Sequence, residues 1–128
     1  MSAGIADTSV FIARETGRTL AVELLPERIG VSVITIGELR AGVLAASTLE
    51  ARDRRLATLS EASKLEAIPI DERVAEAWAR LRVTLRDAAL RMGVNDSWIA
   101  ATALAHGVAV ITQDQDYAAV AGLELIRV

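Results

Sequence analysis

The chain has no cysteine, one histidine, two prolines and 3% aromatic residues in 128 positions. Without cysteine there can be no disulfide, no thiolate zinc site and no cysteine nucleophile. A single histidine argues against a His-based metal site and against a Ser-His-Asp triad. With so few aromatic rings, the core must be built from Ala, Val, Leu and Ile, and an apolar content of 52% argues against disorder. No stretch reaches the roughly 18 continuous apolar residues of a membrane span. The N-terminus lacks the basic start and long apolar core of a signal peptide, so the expected location is the cytoplasm. Lysine is also scarce, Lys64 being the sole one among 14 basic residues. The planar fork of arginine suits phosphate recognition, although a high-GC coding bias accounts for the imbalance equally well. The formal charge of −3 argues mildly against a nucleic-acid binder.

The length predicts one domain over residues 1–128, and no repeat, low-complexity tract or flexible linker divides it. Pro26 and Pro69 fall between periodic segments and read as punctuation. Strands are expected at 4–7, 31–33, 108–112 and 123–127. Helices are expected at about 9–15, 19–25, 35–46, 49–63, 71–92 and 95–106, with a short one near 115–121. In the helix over 71–92, Val74, Trp78, Leu81, Leu85, Ala88 and Met92 form one apolar stripe, and Asp71 is placed to cap its start. Gly107 stands where the helix over 95–106 should end, and His106 beside it is expected to meet terminal carbonyls and to take no catalytic part. Trp78 and Trp98 read as core or interface residues. Short apolar strands alternating with helices predict an α/β fold with a mainly parallel central sheet flanked by helices on both faces. Such sheets bind ligands beyond the carboxyl ends of their strands.

Four acids fall at strand ends or helix starts, on that rim: Asp7, Glu38, Asp96 and Asp114. Each also has a purely structural explanation. Asp7 is a possible helix cap, although Thr8 or Ser9 would serve as well. Glu38 completes Thr35-Ile36-Gly37-Glu38, a capping-box pattern. On a helix it shares its face with Ala41, Gly42 and Ala45, whose small side chains imply close packing, a costly place for a carboxylate that only caps. Asn95 or Asp96 is a possible N-cap for a helix that is apolar nearly all round, and Asp114 and Asp116 each resemble caps of a following short helix. Capping is the simpler account of each acid singly, but less so of four together.

Carboxylates gathered on one rim raise one another's pKa values unless a cation joins them. Oxygen-only donors point to Mg²⁺ or Mn²⁺ rather than zinc, and such a site supports phosphoryl chemistry. With those four charges set apart, the remaining formal charge is +1, so the rest of the surface is not hostile to RNA.

Asp7-Thr8-Ser9, then Ile36-Gly37-Glu38-Leu39 with Gly42, then Asn95-Asp96-Ser97-Trp98-Ile99-Ala100-Ala101-Thr102-Ala103, then Thr112-Gln113-Asp114-Gln115-Asp116-Tyr117 follow one another along nearly the whole chain. In this order and spacing the chain resembles the PIN-domain ribonucleases, specifically the VapC-type toxins of bacterial toxin–antitoxin pairs. The resemblance implies a Mg²⁺ or Mn²⁺ site formed by Asp7, Glu38, Asp96 and Asp114 that cleaves single-stranded RNA, leaving a 5′-phosphate and a 3′-hydroxyl. It implies supporting roles for Thr8, Ser9 and Thr112, and a less defined outer-shell or capping role for Asp116. It also implies a homodimer, held inactive by a small antitoxin that is a separate protein; the lack of a long apolar run separately leads us to expect no membrane partner. Tyr117 stands where phenylalanine is common. Arg40, Arg52, Arg54 and Arg55 are candidate RNA contacts, with a solvated helix face as the plainer account of the run at 52–55.

Two other classes deserve comparison. A phospho-accepting receiver domain would need an acidic pair near the first strand and a lysine after a late strand. Here that strand carries one acid and Lys64 lies mid-chain. A PIN-like module that has lost catalysis and survives as an interaction partner is the second alternative, and the presence of all four acids weakens it.

Overall fold

A computed structural model describes residues 2–115, 117 and 119–128. Five parallel strands form one sheet: β1 (Ala3–Ala6), β2 (Arg28–Ser32), β3 (Glu66–Ile68), β4 (Ala109–Thr112) and β5 (Leu125–Arg127), in the spatial order β3-β2-β1-β4-β5. The helices are α1 (Thr8–Glu15), α2 (Val33–Leu44), α3 (Leu49–Ala62), α4 (Glu72–Asp87) and α5 (Val94–His106), with a 3₁₀ turn at Val22–Leu24.

Alternation along the strands divides the core into two layers. Ile5 and Val110 face one side, where they pack with Val74, Leu81 and Leu85 of α4 and Ile99, Ala100 and Ala103 of α5. Ala6, Val31 and Ile111 face the other, against Val10 and Phe11 of α1, Leu39 of α2, and Leu59 and Ala62 of α3. Gly4 lies on this second face, and a methyl group there would stand 2.9 Å from the Ile111 side chain, so the bare backbone leaves that side chain its place. The sheet is parallel, central and covered on both faces, which is the expected fold class.

Element boundaries moved in several places, each for a local reason. The helix expected over 19–25 is only the 3₁₀ turn; Val22 and Leu24 are exposed, so no apolar face holds a longer helix there. Strand β2 runs over Arg28–Ser32 rather than 31–33, because Ser32 caps α2 by accepting from the Ile34 N–H at 3.0 Å. Strand β3 was not anticipated: three residues are too few for a legible alternation. The described residues within 115–121 form no helix.

Asp71 caps α4 as expected, accepting from the Val74 N–H at 2.9 Å, but the helix stops at Asp87 instead of 92. Ala89 adopts φ 54°, with its N–H bonded to the Arg86 carbonyl and the Leu90 N–H to the Leu85 carbonyl. That is a Schellman ending with alanine in the left-handed position, where glycine is the usual residue. Gly107 closes α5 in the same conformation, φ 65°, with no side chain to strain. An L residue costs about 1–2 kcal/mol in that region. Ala89→Gly is therefore expected to stabilise the protein by about 0.5–1 kcal/mol once glycine's greater unfolded-state entropy is deducted, measured by urea denaturation. A loss of stability would contradict this account of the α4 terminus.

Candidate active site

The rim at the carboxyl ends of β1 and β4 is organised around Asp7. It follows β1 directly and is 2% exposed. Its carboxylate accepts from the Ser9 N–H at 3.0 Å, from Ser9 Oγ at 2.5 Å and, on the other oxygen, from Thr112 Oγ1 at 2.6 Å. Asp7 is thus the N-cap of α1, and Thr112 at the end of β4 binds it as well. Ser9 Oγ also accepts from the Gln113 N–H at 2.9 Å, and Thr112 Oγ1 from the Asp114 N–H at 2.9 Å. These two hydroxyls lock the strand exit that carries Asp114 to the strand exit that carries Asp7.

Glu38 reaches the rim from α2. Its Oε1 accepts from Thr8 Oγ1 at 2.6 Å, and Thr8 Oγ1 lies 3.0 Å from the buried Thr35 Oγ1. With the Thr8 proton committed to Glu38, Thr35 donates to Thr8. The expected capping box is not formed, because the helix begins at Val33 under Ser32, leaving Thr35 inside its first turn and Glu38 in the second. Thr35, read from sequence only as a cap, is instead a buried support for Thr8 and Glu38.

Asp96 reaches the rim because two residues, Gly107 and Val108, reverse the chain between α5 and β4. The start of α5 therefore stands at the carboxyl end of β4. Gly93 occupies the N-cap position, so neither Asn95 nor Asp96 caps the helix. Among the described residues the Asp96 carboxylate accepts no hydrogen bond and pairs with no cation. No helix follows Asp114 among the described residues. Asp116 lies outside the described residues.

The electrostatics show the convergence. Burial first, and then the charges of Asp7, Asp114 and Glu38, together raise the pKa of Asp96 from 3.8 to about 6. Burial also raises Asp7, against the opposing hydrogen bonds from Ser9, Thr112 and the backbone. The buried Tyr117 hydroxyl, donating to the Asp96 carbonyl at 3.0 Å, is raised by burial and then by Asp96, Asp7 and Asp114. All four predicted acids therefore act on a common region.

The donor set there is oxygen only. His106 is exposed at the far end of α5, and Arg73 rather than His106 reaches a terminal carbonyl, that of Ala105, at 2.7 Å. Among the described residues no three acidic or imidazole side chains are placed to ligate one ion directly. The arrangement fits a hard cation held by one or two carboxylates, with water completing its shell.

A groove of about 490 Å³ opens beside Thr8 and Glu38, lined also by Glu15, Gly42, Arg54 and Arg55. Arg55 Nη1 donates to the Gly42 carbonyl at 2.8 Å, and Arg54 Nε lies 3.9 Å from Glu15 Oε2. Arg40 and Arg52 are exposed and do not line the groove, so only two of the four candidate arginines adjoin the rim. Trp78 and Trp98 stack with ring centroids 4.4 Å apart, half-buried against the α4–α5 core layer.

The PIN domain family model matches residues 5–123. The chain is 49% identical over 130 residues to Ribonuclease VapC5 of Mycobacterium tuberculosis, covering 99% of this chain and 96% of that protein. It is 54% identical over 124 residues to Ribonuclease VapC4 of the same organism, covering 97% and 95% respectively. A crystal structure of a member of the VapBC family of toxin–antitoxin systems, VapBC-5 from Mycobacterium tuberculosis, superposes with a TM-score of 0.91 at 45% identity over the full length of both chains.

The raised pKa of Asp96 makes a stability prediction. The folded state holds this proton more tightly than the unfolded chain does, so the group's contribution is complete below about pH 4 and is lost as pH rises through about 6. Asp96→Asn is expected to raise the stability of the metal-free protein at pH 7.5 by on the order of 1 kcal/mol, after discounting for solvent screening of a half-exposed group. The gain should vanish near pH 4. Thermal melts in chelator across this range check it, and a destabilised variant at pH 7.5 would count against a crowded rim.

Proposed function

The chain belongs to the PIN domain family of VapC ribonucleases, and on that premise we propose that it is the toxin of a toxin–antitoxin pair, an endoribonuclease dependent on Mg²⁺ or Mn²⁺. The observation that carries the metal reading is the convergence of the Asp7, Glu38 and Asp114 charges on Asp96, whose carboxylate has no hydrogen bond or cation among the described residues. A half-buried carboxylate crowded by three other acids is costly, and a site that keeps one is organised for something that arrives.

A bound Mg²⁺ or Mn²⁺ would supply charge neutralisation at the phosphate and activation of water. Asp7, Asp96 and Asp114 are the principal ligands, directly or through water, and Glu38 is a further ligand or orients the attacking water. Ser9 and Thr112 hold both oxygens of Asp7, so its carboxylate is fixed before the cation arrives. Thr8 performs that service for Glu38. In the hydrolysis the water oxygen bonds to phosphorus while the bond from phosphorus to the 3′ oxygen breaks, leaving a 5′-phosphate and a 3′-hydroxyl. Asp116 is assigned an outer-shell role.

Arg54 and Arg55 in the groove beside Glu38 are the favoured contacts for the RNA backbone, since each retains N–H donors beyond its present partner. The VapBC-5 structure is that of a toxin–antitoxin family member, which supports a separate small antitoxin as the partner of this chain, and a homodimer is the proposed assembly.

Purified protein is expected to cleave single-stranded RNA with Mg²⁺ or Mn²⁺ and to stop in EDTA. Asp7→Asn and Asp96→Asn should each abolish cleavage while retaining a cooperative thermal transition. Full activity in either variant would remove the assigned site, and calorimetry finding no Mn²⁺ binding would favour a catalytically silent interaction module.

A further inference from the structure

We propose that Tyr117 is a positioning residue whose hydroxyl sets the separation of the Asp96 and Asp114 carboxylates, and with it the affinity of the rim for a divalent cation; this rests on the metal-dependent reading above. Helices α1 to α4 each begin under a side-chain cap: Asp7, Ser32, Thr48 and Asp71. Helix α5, which carries Asp96 in its first turn, begins at Gly93 with no side-chain cap bond. Its first turn is anchored by other means. Ser97 Oγ donates to the Val94 carbonyl at 2.5 Å and accepts from Trp78 Nε1 at 3.0 Å, which fastens the turn to α4. Tyr117 donates to the Asp96 carbonyl at 3.0 Å, which fastens it to the segment leaving β4.

That segment carries Asp114. Its backbone is held from behind by Thr112 Oγ1, and three residues further on Tyr117 is tied to Asp96 itself. Among the described residues, no other hydrogen bond joins positions 113–117 to α5. The Tyr117 ring is 6% exposed in the core layer with Ile99 and Leu85, so the hydroxyl emerges from a fixed base. Phenylalanine would fill the ring's space and remove only the tether. The like charges of Asp96 and Asp114 tend to drive their segments apart, and the tether opposes that motion before any cation is present.

The test compares Mn²⁺ titration calorimetry of wild-type protein, Tyr117→Phe and the core control Leu85→Ala, each with a metal-free thermal melt. Tyr117→Phe should weaken Mn²⁺ binding about tenfold, in the range typical of residues that orient metal ligands. Its metal-free melt should stay near wild type. RNA cleavage should need correspondingly more Mn²⁺ for half-saturation, while kcat at saturating Mn²⁺ recovers. Leu85→Ala should lower the melting temperature further yet bind Mn²⁺ within about twofold of wild type. Wild-type affinity in Tyr117→Phe, or an equal weakening in Leu85→Ala, overturns the positioning role alone. Absence of Mn²⁺ binding to the wild-type protein overturns the metal reading and this inference together.

Discussion

A carboxylate almost wholly removed from water, that of Asp7, is the constraint around which the rim is arranged. An ionised group in that position is tolerated only with its oxygens occupied by donors. The donors come from two places far apart in sequence: Ser9, in the first turn of α1, and Thr112, at the end of β4. Parallel pairing of β1 with β4 brings them together, and the Asp7 N–H reinforces it by bonding to the Ile111 carbonyl at 2.9 Å. Because Thr112 and Ser9 in turn receive the backbone N–H groups of Asp114 and Gln113, the path of the chain beyond β4 is a consequence of satisfying Asp7. A buried charge thus specifies where the neighbouring acid must stand.

The same rim works against the stability of the fold. Hydrogen bonds favour the ionised form of Asp7, while Asp96 has no such help and is raised by burial and by its neighbours. Local agreement among caps, packing and charge is the rule elsewhere in the chain, and its failure here marks a place where something other than folding is being served. The cost is contained by the core. Helix α5 is buried through Ile99, Ala100, Ala101 and Ala103, and β4 through Ala109, Val110 and Ile111, so neither can retreat from the other.

The positions of the four acids were legible in sequence because strand ends and helix starts are local features, and a parallel sheet gathers them by its topology alone. Their bonding was not. Thr35-Ile36-Gly37-Glu38 has the spacing of a capping box, yet Ser32 takes the cap because β2 ends there, a matter of sheet register that the four residues do not encode. Asn95 and Asp96 resemble caps equally well, and Gly93 holds that position. The apolar stripe running to Met92 implied a longer α4; Met92 does pack against the core, but from beyond the left-handed Ala89. Of the arginines, sequence alone had no means to separate Arg54 and Arg55 from Arg40 and Arg52, because lining the groove depends on how α3 lies against α2.

Charge links the two halves of the proposed function. A rim with four carboxylates repels a polyanion, so RNA and cation cannot be bound there independently: each phosphate drawn near the rim is favoured by a cation already present, and the reverse holds by thermodynamic linkage. Arg54 and Arg55 stand at the side of this rim rather than within it, and Arg54 lies beside the nearly buried Glu15 carboxylate. Placed so, they would, under the proposed function, attract the nucleic-acid backbone along the groove without neutralising the acids that hold the cation. A lysine or arginine among the four acids would relieve their repulsion and stabilise the fold, but it would also occupy the place of the ion. The scarcity of partners around Asp96 is therefore what the proposed chemistry demands of the sequence.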